Sequence, residues 1–326
     1  MKKIVATALV AAAFSATSAY AADLKGAKQA IVVAPAPSPW DFAFGGALMS
    51  DYIFRGITQS AHKPSVAAYF EPRYNINKDF QLYAGVSGES IDFPNRPSAE
   101  IDFYGGFRPT FGKLALDFGA WYYWYPGGQC FNTPALCNSL GSGGNFVALT
   151  LPNGNVVKKD LSFVEVYGKA TYTFTDEFSA GVSVNWSPSV LNSGADGTFV
   201  NGTAKYVFPS AWFWKDWGLY ASADVGHWFL GTSDAFYAVV GFPGGIPYKS
   251  YTTWDLGFGV TWKKFTLDFR YYDTDLNKGD CNAFTSDHTA TGVFNTAINP
   301  GLPGSNWCSA RFVVKGSFDL AVSDLK

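Results

Sequence analysis

The sequence predicts an all-β protein, a transmembrane antiparallel up-and-down β-barrel of about twelve strands. Three observations carry that expectation. Twelve stretches alternate apolar and polar residues at period two, with nearly every charge on one alternating face. Past a signal-like N-terminus, no apolar run approaches the roughly 18 residues a membrane helix needs. The composition is 18% aromatic, only 15% charged, and holds 34 glycines and two methionines. Ordinary soluble domains carry about 25% charged residues, and a lipid-facing belt accounts for the shortfall. A soluble sandwich would alternate too, but only a closed barrel satisfies every backbone group inside a bilayer.

At the N-terminus, Met1-Lys2-Lys3, an apolar run from Ile4 to about Ser18 and Ala19-Tyr20-Ala21 read as a secretory signal peptide over residues 1–21. Its removal takes Lys2 and Lys3 and moves the formal charge from −2 to −4. That balance leaves no footprint for nucleic acid. Residues 22–39, with Ala34-Pro35-Ala36-Pro37-Ser38-Pro39, have neither period and read as a Pro-rich periplasmic tether.

The barrel is expected over 40–320, with a tail at 321–326. In the first strand, 40–55, Trp40, Phe42, Phe44, Leu48, Tyr52 and Phe54 oppose Asp41, Asp51 and Arg55. Strands follow at 65–75, 80–89, 99–110 and 113–125. In the last of these, Leu114, Leu116, Phe118, Ala120, Tyr122 and Trp124 form the oily face opposite Asp117. The next are 161–174, 178–187, 198–208, 217–229, 250–262 and 265–273. If Lys263-Lys264 is a two-residue turn, Trp262 pairs with Phe265, Val260 with Leu267 and Phe258 with Phe269 on the apolar face, while Thr261 meets Thr266 and Gly257 meets Arg270 inside. In the closing strand, 309–320, Phe312, Val314, Phe318 and Leu320 oppose Arg311, Lys315 and Asp319. Short turns follow strands two, four, six and ten, and long loops the odd-numbered strands, the asymmetry of a bacterial outer-membrane barrel. Trp212, Trp214, Trp217, Trp262 and Phe265 gather near the short-turn end, and Tyr122, Trp124, Trp186 and Tyr271 near the loop end, where aromatic girdles belong.

Inward positions hold nine acids, Asp51, Glu71, Glu100, Asp102, Asp117, Glu165, Asp224, Asp255 and Asp268, beside nine bases, Arg55, Arg73, Arg108, Lys113, Lys169, Lys205, Arg270, Arg311 and Lys315. These are the candidate pore-lining residues, and their balance selects neither ion sign. Asp51, Arg55, Glu100 and Asp102 are expected at the outer mouth, because antiparallel order brings the end of strand one and the start of strand four to the same rim. A barrel of this size holds either a narrow aqueous channel or a lumen filled by its own ion pairs. Any long loop could fold inward; that at 126–160 is one candidate. His62, His227 and His288 are scattered, and no catalytic, metal or cofactor motif is present. A barrel enzyme would need a serine, a histidine and an acid converging at one rim.

Three segments carry a family resemblance: Ser50-Asp51-Tyr52-Ile53-Phe54-Arg55-Gly56-Ile57-Thr58-Gln59-Ser60 with Lys63-Pro64 beyond, Glu100-Ile101-Asp102-Phe103-Tyr104-Gly105-Gly106, and Trp121-Tyr122-Tyr123-Trp124-Tyr125-Pro126-Gly127. Through them the chain resembles the TorF family of outer-membrane porins. The resemblance implies a proteobacterial outer-membrane barrel with a transport role, and it supplies no catalytic residue. Outer-membrane lipid, small hydrophilic solutes and, during biogenesis, the barrel-assembly machinery are the expected partners. A structural or adhesive barrel with a closed lumen and a barrel enzyme are the rival readings. One departure is that Phe318, the expected terminal aromatic, is followed by Asp319 to Lys326.

The four cysteines allow three pairings. Cys130 and Cys137 share one loop and Cys281 and Cys308 another, and pairing within each loop needs no crossing between them. The periplasmic route is oxidising. Peptide mapping without reductant is expected to recover Cys130 joined to Cys137 and Cys281 joined to Cys308; a peptide crossing the two loops contradicts that assignment.

Overall fold

The computed structural model describes residues 39–129, 157–209, 215–239 and 241–325. Strand β1 (Trp40–Met49) is followed by a two-stranded hairpin, β2 (Ile53–Phe54) and β3 (Ile57–Thr58). Then come β4 (Ser65–Asn75), β5 (Phe80–Glu89), β6 (Glu100–Phe111), β7 (Leu114–Trp124), β8 (Phe163–Thr173), β9 (Phe178–Ser187), β10 (Gly197–Val207), β11 (Trp217–Leu230), β12 (Tyr251–Trp262), β13 (Phe265–Thr274) and β14 (Arg311–Ala321). Twelve of these close a barrel, each antiparallel to the next, and β1 meets β14 from Ala43↔Ala321 to Met49↔Lys315. Closure leaves no unpaired edge. The hairpin β2–β3 is a separate two-stranded sheet that takes no part in the wall.

The alternation decides which way each side chain points. Leu48, Val66, Phe103, Phe118, Val182, Leu256 and Phe312 are exposed on the outside, whereas Glu71, Arg73, Glu165 and Lys205 are buried on the inside. Of the expected interfacial aromatics, Tyr122, Trp124, Trp186, Trp217, Trp262, Phe265 and Tyr271 are exposed; Trp212 and Trp214 lie outside the described residues. The strands, at about 3.3 Å per residue and tilted, are long enough to cross a hydrocarbon layer about 25 Å thick.

Inward glycines make room for inward tyrosines. A Cβ on Gly85 would collide with the Tyr104 ring, and one on Gly119 would sit 2.7 Å from the Tyr167 hydroxyl. The β12–β13 hairpin has the expected register, Trp262↔Phe265 through Gly257↔Arg270. Lys263 takes the left-handed conformation such a turn needs, φ +52°.

The first strand departs from expectation. Period two continues to Arg55, but β1 stops at Met49 and the Ser50 amide donates to the Val314 carbonyl, 2.9 Å. The chain then turns into the barrel. Tyr52 and Phe54, expected to face lipid, face inward: Tyr52 is buried and Phe54 packs against the Trp228 and Tyr123 rings. Ile53 pairs with Thr58 and Phe54 with Ile57 across Arg55-Gly56, both at positive φ, +50° and +79°. That is the two-residue turn whose twist suits a tight hairpin.

Above the hairpin the outer loops pack on one another. Ile57, Trp228, Tyr251, Leu276 and Trp307 share a cluster with the Cys281 to Cys308 disulfide, and Phe54 and Leu191 join it to a second built on Phe93, Tyr123 and Val157. The disulfide ties helix α1 (Lys278–Thr285) to the segment entering β14. Cys130 and Cys137 lie outside the described residues, as do most of the tether and the whole signal segment. After β14 a 3-10 turn (Val322–Leu325) folds back on the short-turn rim, where Asp324 meets Lys264 at 2.8 Å.

Adjacent residues of β9 test the two faces. Val184 is 46% exposed on the outside, and Ser183 lines the lumen cavity. Val184→Arg is expected to cost about 2–4 kcal/mol of folding stability and Ser183→Arg much less, read from urea unfolding of the refolded barrel. Equal costs would mean the faces are misassigned.

Candidate functional site

The hairpin carries Arg55 across the lumen to β8. Its guanidinium makes a bidentate pair with Glu165, Nη1 to Oε1 at 2.8 Å and Nη2 to Oε2 at 2.7 Å. The Phe54, Phe199 and Trp228 rings surround the cation, with centroids 4.6, 4.5 and 4.3 Å away. Glu165 also accepts from the Tyr123 hydroxyl at 3.2 Å and the Asn185 amide at 3.4 Å. Burial opposes the charge on Arg55, but the Glu165 carboxylate outweighs it and holds the guanidinium pKa above its ordinary value. The Tyr251 hydroxyl donates to the Arg55 carbonyl at 2.9 Å, so the tip is held through backbone and side chain alike.

Asp51 organises the base of the same segment. It accepts from Thr58 at 2.5 Å and Ser60 at 2.9 Å, and lies 2.9 Å from His62 Nδ1. Serine, histidine and acid therefore do converge, but in the wrong order for nucleophilic catalysis: Ser60 bonds the acid and the Lys63 carbonyl rather than His62 Nε2. His227 lies elsewhere, 3.0 Å from Thr252 Oγ1.

Below the hairpin is a cavity of about 660 Å³ that runs to the short-turn rim at Asn77 and Asp79. Among the described residues, the segment Asp51 to Gly56 closes its outer end, and no other outer loop lines it. Two ion-pair networks cross it. In one, Arg108 grips Glu71 with two bonds, 2.8 and 3.1 Å, and reaches Asp117 at 3.3 Å, while Arg73 meets Glu71 at 2.6 Å. Tyr83 donates to Asp117 at 2.5 Å and touches the Tyr167 hydroxyl. In the other, Arg270 pairs with Asp255 at 2.5 Å and Asp268 at 3.1 Å, with Asp224 at 4.0 Å and the Tyr220 hydroxyl on Asp268 at 2.7 Å. Lys169 and Lys315 stand opposite Asp117 and Asp268 in register and line the cavity. Lys205 lies over the Tyr220 ring.

The structure thus places most candidate pore-lining residues on the inner face and gathers them into separate groups. The four charges expected at the outer mouth lie at that end but do not act as a set: Arg55 is taken by Glu165, Asp51 by His62 and its neighbours, and Glu100 and Asp102 face Glu89. One position departs from the inward list, and a second keeps the inward parity of Val313 and Lys315 but stands beyond the cavity. Lys113 sits exposed in the β6–β7 turn and donates to the Phe174 carbonyl, and Arg311 is at the outer end of β14, away from the cavity. Glu89 was not expected, although Tyr83, Gly85, Ser87 and Glu89 share one parity and the signal was present. The inward tyrosines were likewise hidden by the assumption that aromatics face lipid.

The chain belongs to the Gcw_chp family, described as a bacterial protein of unknown function, whose model matches residues 33–299. No curated protein matches it. Among solved structures it is similar to the NanC porin, at 10% identity over 86% of this chain and 100% of that one, with a TM-score of 0.41. It is also similar to the toluene transporter TodX of Pseudomonas putida, at 14% over 88% and 90%, TM-score 0.38. A third is the outer-membrane protein OmpT of Vibrio cholerae, at 12% over 86% and 98%, TM-score 0.34.

Removing one partner of a buried ion pair leaves an uncompensated charge. Glu165→Gln is therefore expected to free the hairpin while the wall stays closed, so that trypsin cuts after Arg55 in a barrel that still migrates as folded on an unheated gel. Resistance at Arg55 in that variant would show that the pair does not hold the hairpin.

Proposed function

We propose that the protein is a bacterial outer-membrane channel for small hydrophilic solutes or ions, shut at its outer mouth in this conformation by the hairpin at Arg55. The apolar outer face and charged inner face support the membrane setting, and the resemblance of the Ser50 to Ser60 segment to TorF porins points the same way. The observation that carries the reading is the hairpin itself. An ion pair, seconded by one hydrogen bond to the Arg55 carbonyl, fastens it across a cavity that already reaches the short-turn rim. A barrel meant only as a scaffold could fill that space with side chains, as small barrels do. Secretion through the periplasm and insertion by the barrel-assembly machinery belong to this reading, and catalysis does not.

A second reading, a structural or adhesive barrel with a permanently closed lumen, is favoured by one observation: the apolar clusters above the hairpin knit the outer loops together. The two readings differ in what happens when the latch is cut. In planar bilayers the wild-type protein is expected to give rare, small steps, and Glu165→Gln to open more often. Silence from both, with folded protein demonstrably inserted, would sink the channel reading and favour the closed barrel.

A further inference from the structure

Three carboxylates converge at the outer ends of β5 and β6. Glu89 and Glu100 are direct cross-strand partners, and Asp102 is two residues further along the same inward face. One oxygen from each lies within 4.8 Å of the others, and the three residues are 2%, 2% and 3% exposed. Like charges directly opposite one another weaken a sheet, and a buried carboxylate is costly without a partner.

The surrounding groups do not meet that cost. The Tyr52 hydroxyl donates to Glu100 Oε1 at 3.2 Å and Ser87 Oγ to Asp102 Oδ2 at 3.3 Å. Both oxygens of Glu89, Oε2 of Glu100 and Oδ1 of Asp102 are buried with no hydrogen-bond partner. Among the described residues, none of the three forms an ion pair with a lysine, arginine or histidine. Elsewhere in this lumen buried acids meet a basic side chain, as Glu165 meets Arg55, Glu71 meets Arg108, Asp268 meets Arg270 and Asp51 meets His62. The Glu89 carboxylate, buried and unpartnered, is held against two others.

We infer that Glu89, Glu100 and Asp102 form a calcium site. Three carboxylates are hard oxygen donors, and calcium takes such ligands at about 2.3–2.6 Å with a tolerant geometry. Oxygens bound to one calcium ion lie no more than about 5 Å apart, and one oxygen from each of the three residues falls within 4.8 Å of the others, so a single ion can reach all three. Magnesium, at about 2.0–2.1 Å with strict octahedral demands and a reluctance to shed water, suits three carboxylates fixed on wall strands less well. No His or Cys spacing in the sequence marks this site, because strand parity builds it. Tyr52 lies on the segment leading into the hairpin, so an ion held by Glu100 also steadies the base of that segment.

The test uses the full-length refolded barrel in neutral detergent, stripped with chelator and titrated with calcium chloride. Wild type is expected to melt higher as calcium is added and to sensitise terbium luminescence through nearby aromatics, with calcium competing for the signal. Glu89→Gln removes one of two opposed charges. Without calcium it is expected to melt above wild type, and its calcium affinity should fall by about tenfold or more, since ligand charge sets affinity. Absence of terbium signal and of any calcium effect on wild-type melting would overturn the assignment. So would an unchanged calcium response in a folded Glu89→Gln/Asp102→Asn variant, which would place the ion elsewhere.

Discussion

A guanidinium and a carboxylate meeting across the lumen, Arg55 with Glu165, is the interaction on which the outer half of this protein depends. Neither charge could stay where it is alone. Glu165 is 1% exposed on a wall strand, and Arg55 stands at the tip of a turn with aromatic rings about it. Each charge makes the other's burial tolerable, and truncating either would leave a desolvated ion. The hairpin, the inward course of Tyr52 and Phe54, and the packing of Trp228 and Tyr251 over it all require that pair to form.

The same requirement shapes the rest of the interior. A lumen of twelve strands is too narrow to leave its charges to bulk water, so Arg108 is spread over Glu71 and Asp117, and Arg270 over Asp255 and Asp268. Arginine suits this work because its planar fork serves two acceptors at once. Inward tyrosines donate to further carboxylate oxygens of these two networks, as Tyr83 does to Asp117 and Tyr220 to Asp268, and they occupy the space that glycines vacate on the neighbouring strand, as Tyr104 does over Gly85. Among the described residues, the cavity lies between these networks and below the hairpin. Its volume is thus set by which charges are paired and where.

Alternation made the wall legible from sequence. Where one face meets lipid and the other a charged interior, a slip of one residue exposes every side chain to the wrong medium. The Trp262↔Phe265 register could therefore be worked out from residues alone. Legibility failed where that contrast fails. Tyr52 and Phe54 extend the oily parity of the first strand, and period two does not distinguish an aromatic facing lipid from one packed inside a plugged lumen. The turn at Arg55-Gly56 was the counter-signal, since a glycine there marks a tight hairpin. The pairing of Arg55 with Glu165 was not legible, because it links residues 110 apart in the chain through a tertiary contact. Glu89 was legible from its parity with Ser87 and was passed over at the strand's end.

Hydrogen exchange of the folded barrel in detergent tests the central claim most directly, read at the amides of residues 52–59. Two of them, Thr58 and Gln59, donate to the Trp307 and Tyr52 carbonyls at 3.0 and 2.7 Å, beneath packed loops. If the segment is a hairpin pinned inside the lumen, these amides exchange as slowly as those of the wall strands and become fast in Glu165→Gln. Exchange in the wild-type protein as fast as that of an exposed surface loop would show that the segment does not reside in the lumen, and would contradict the account.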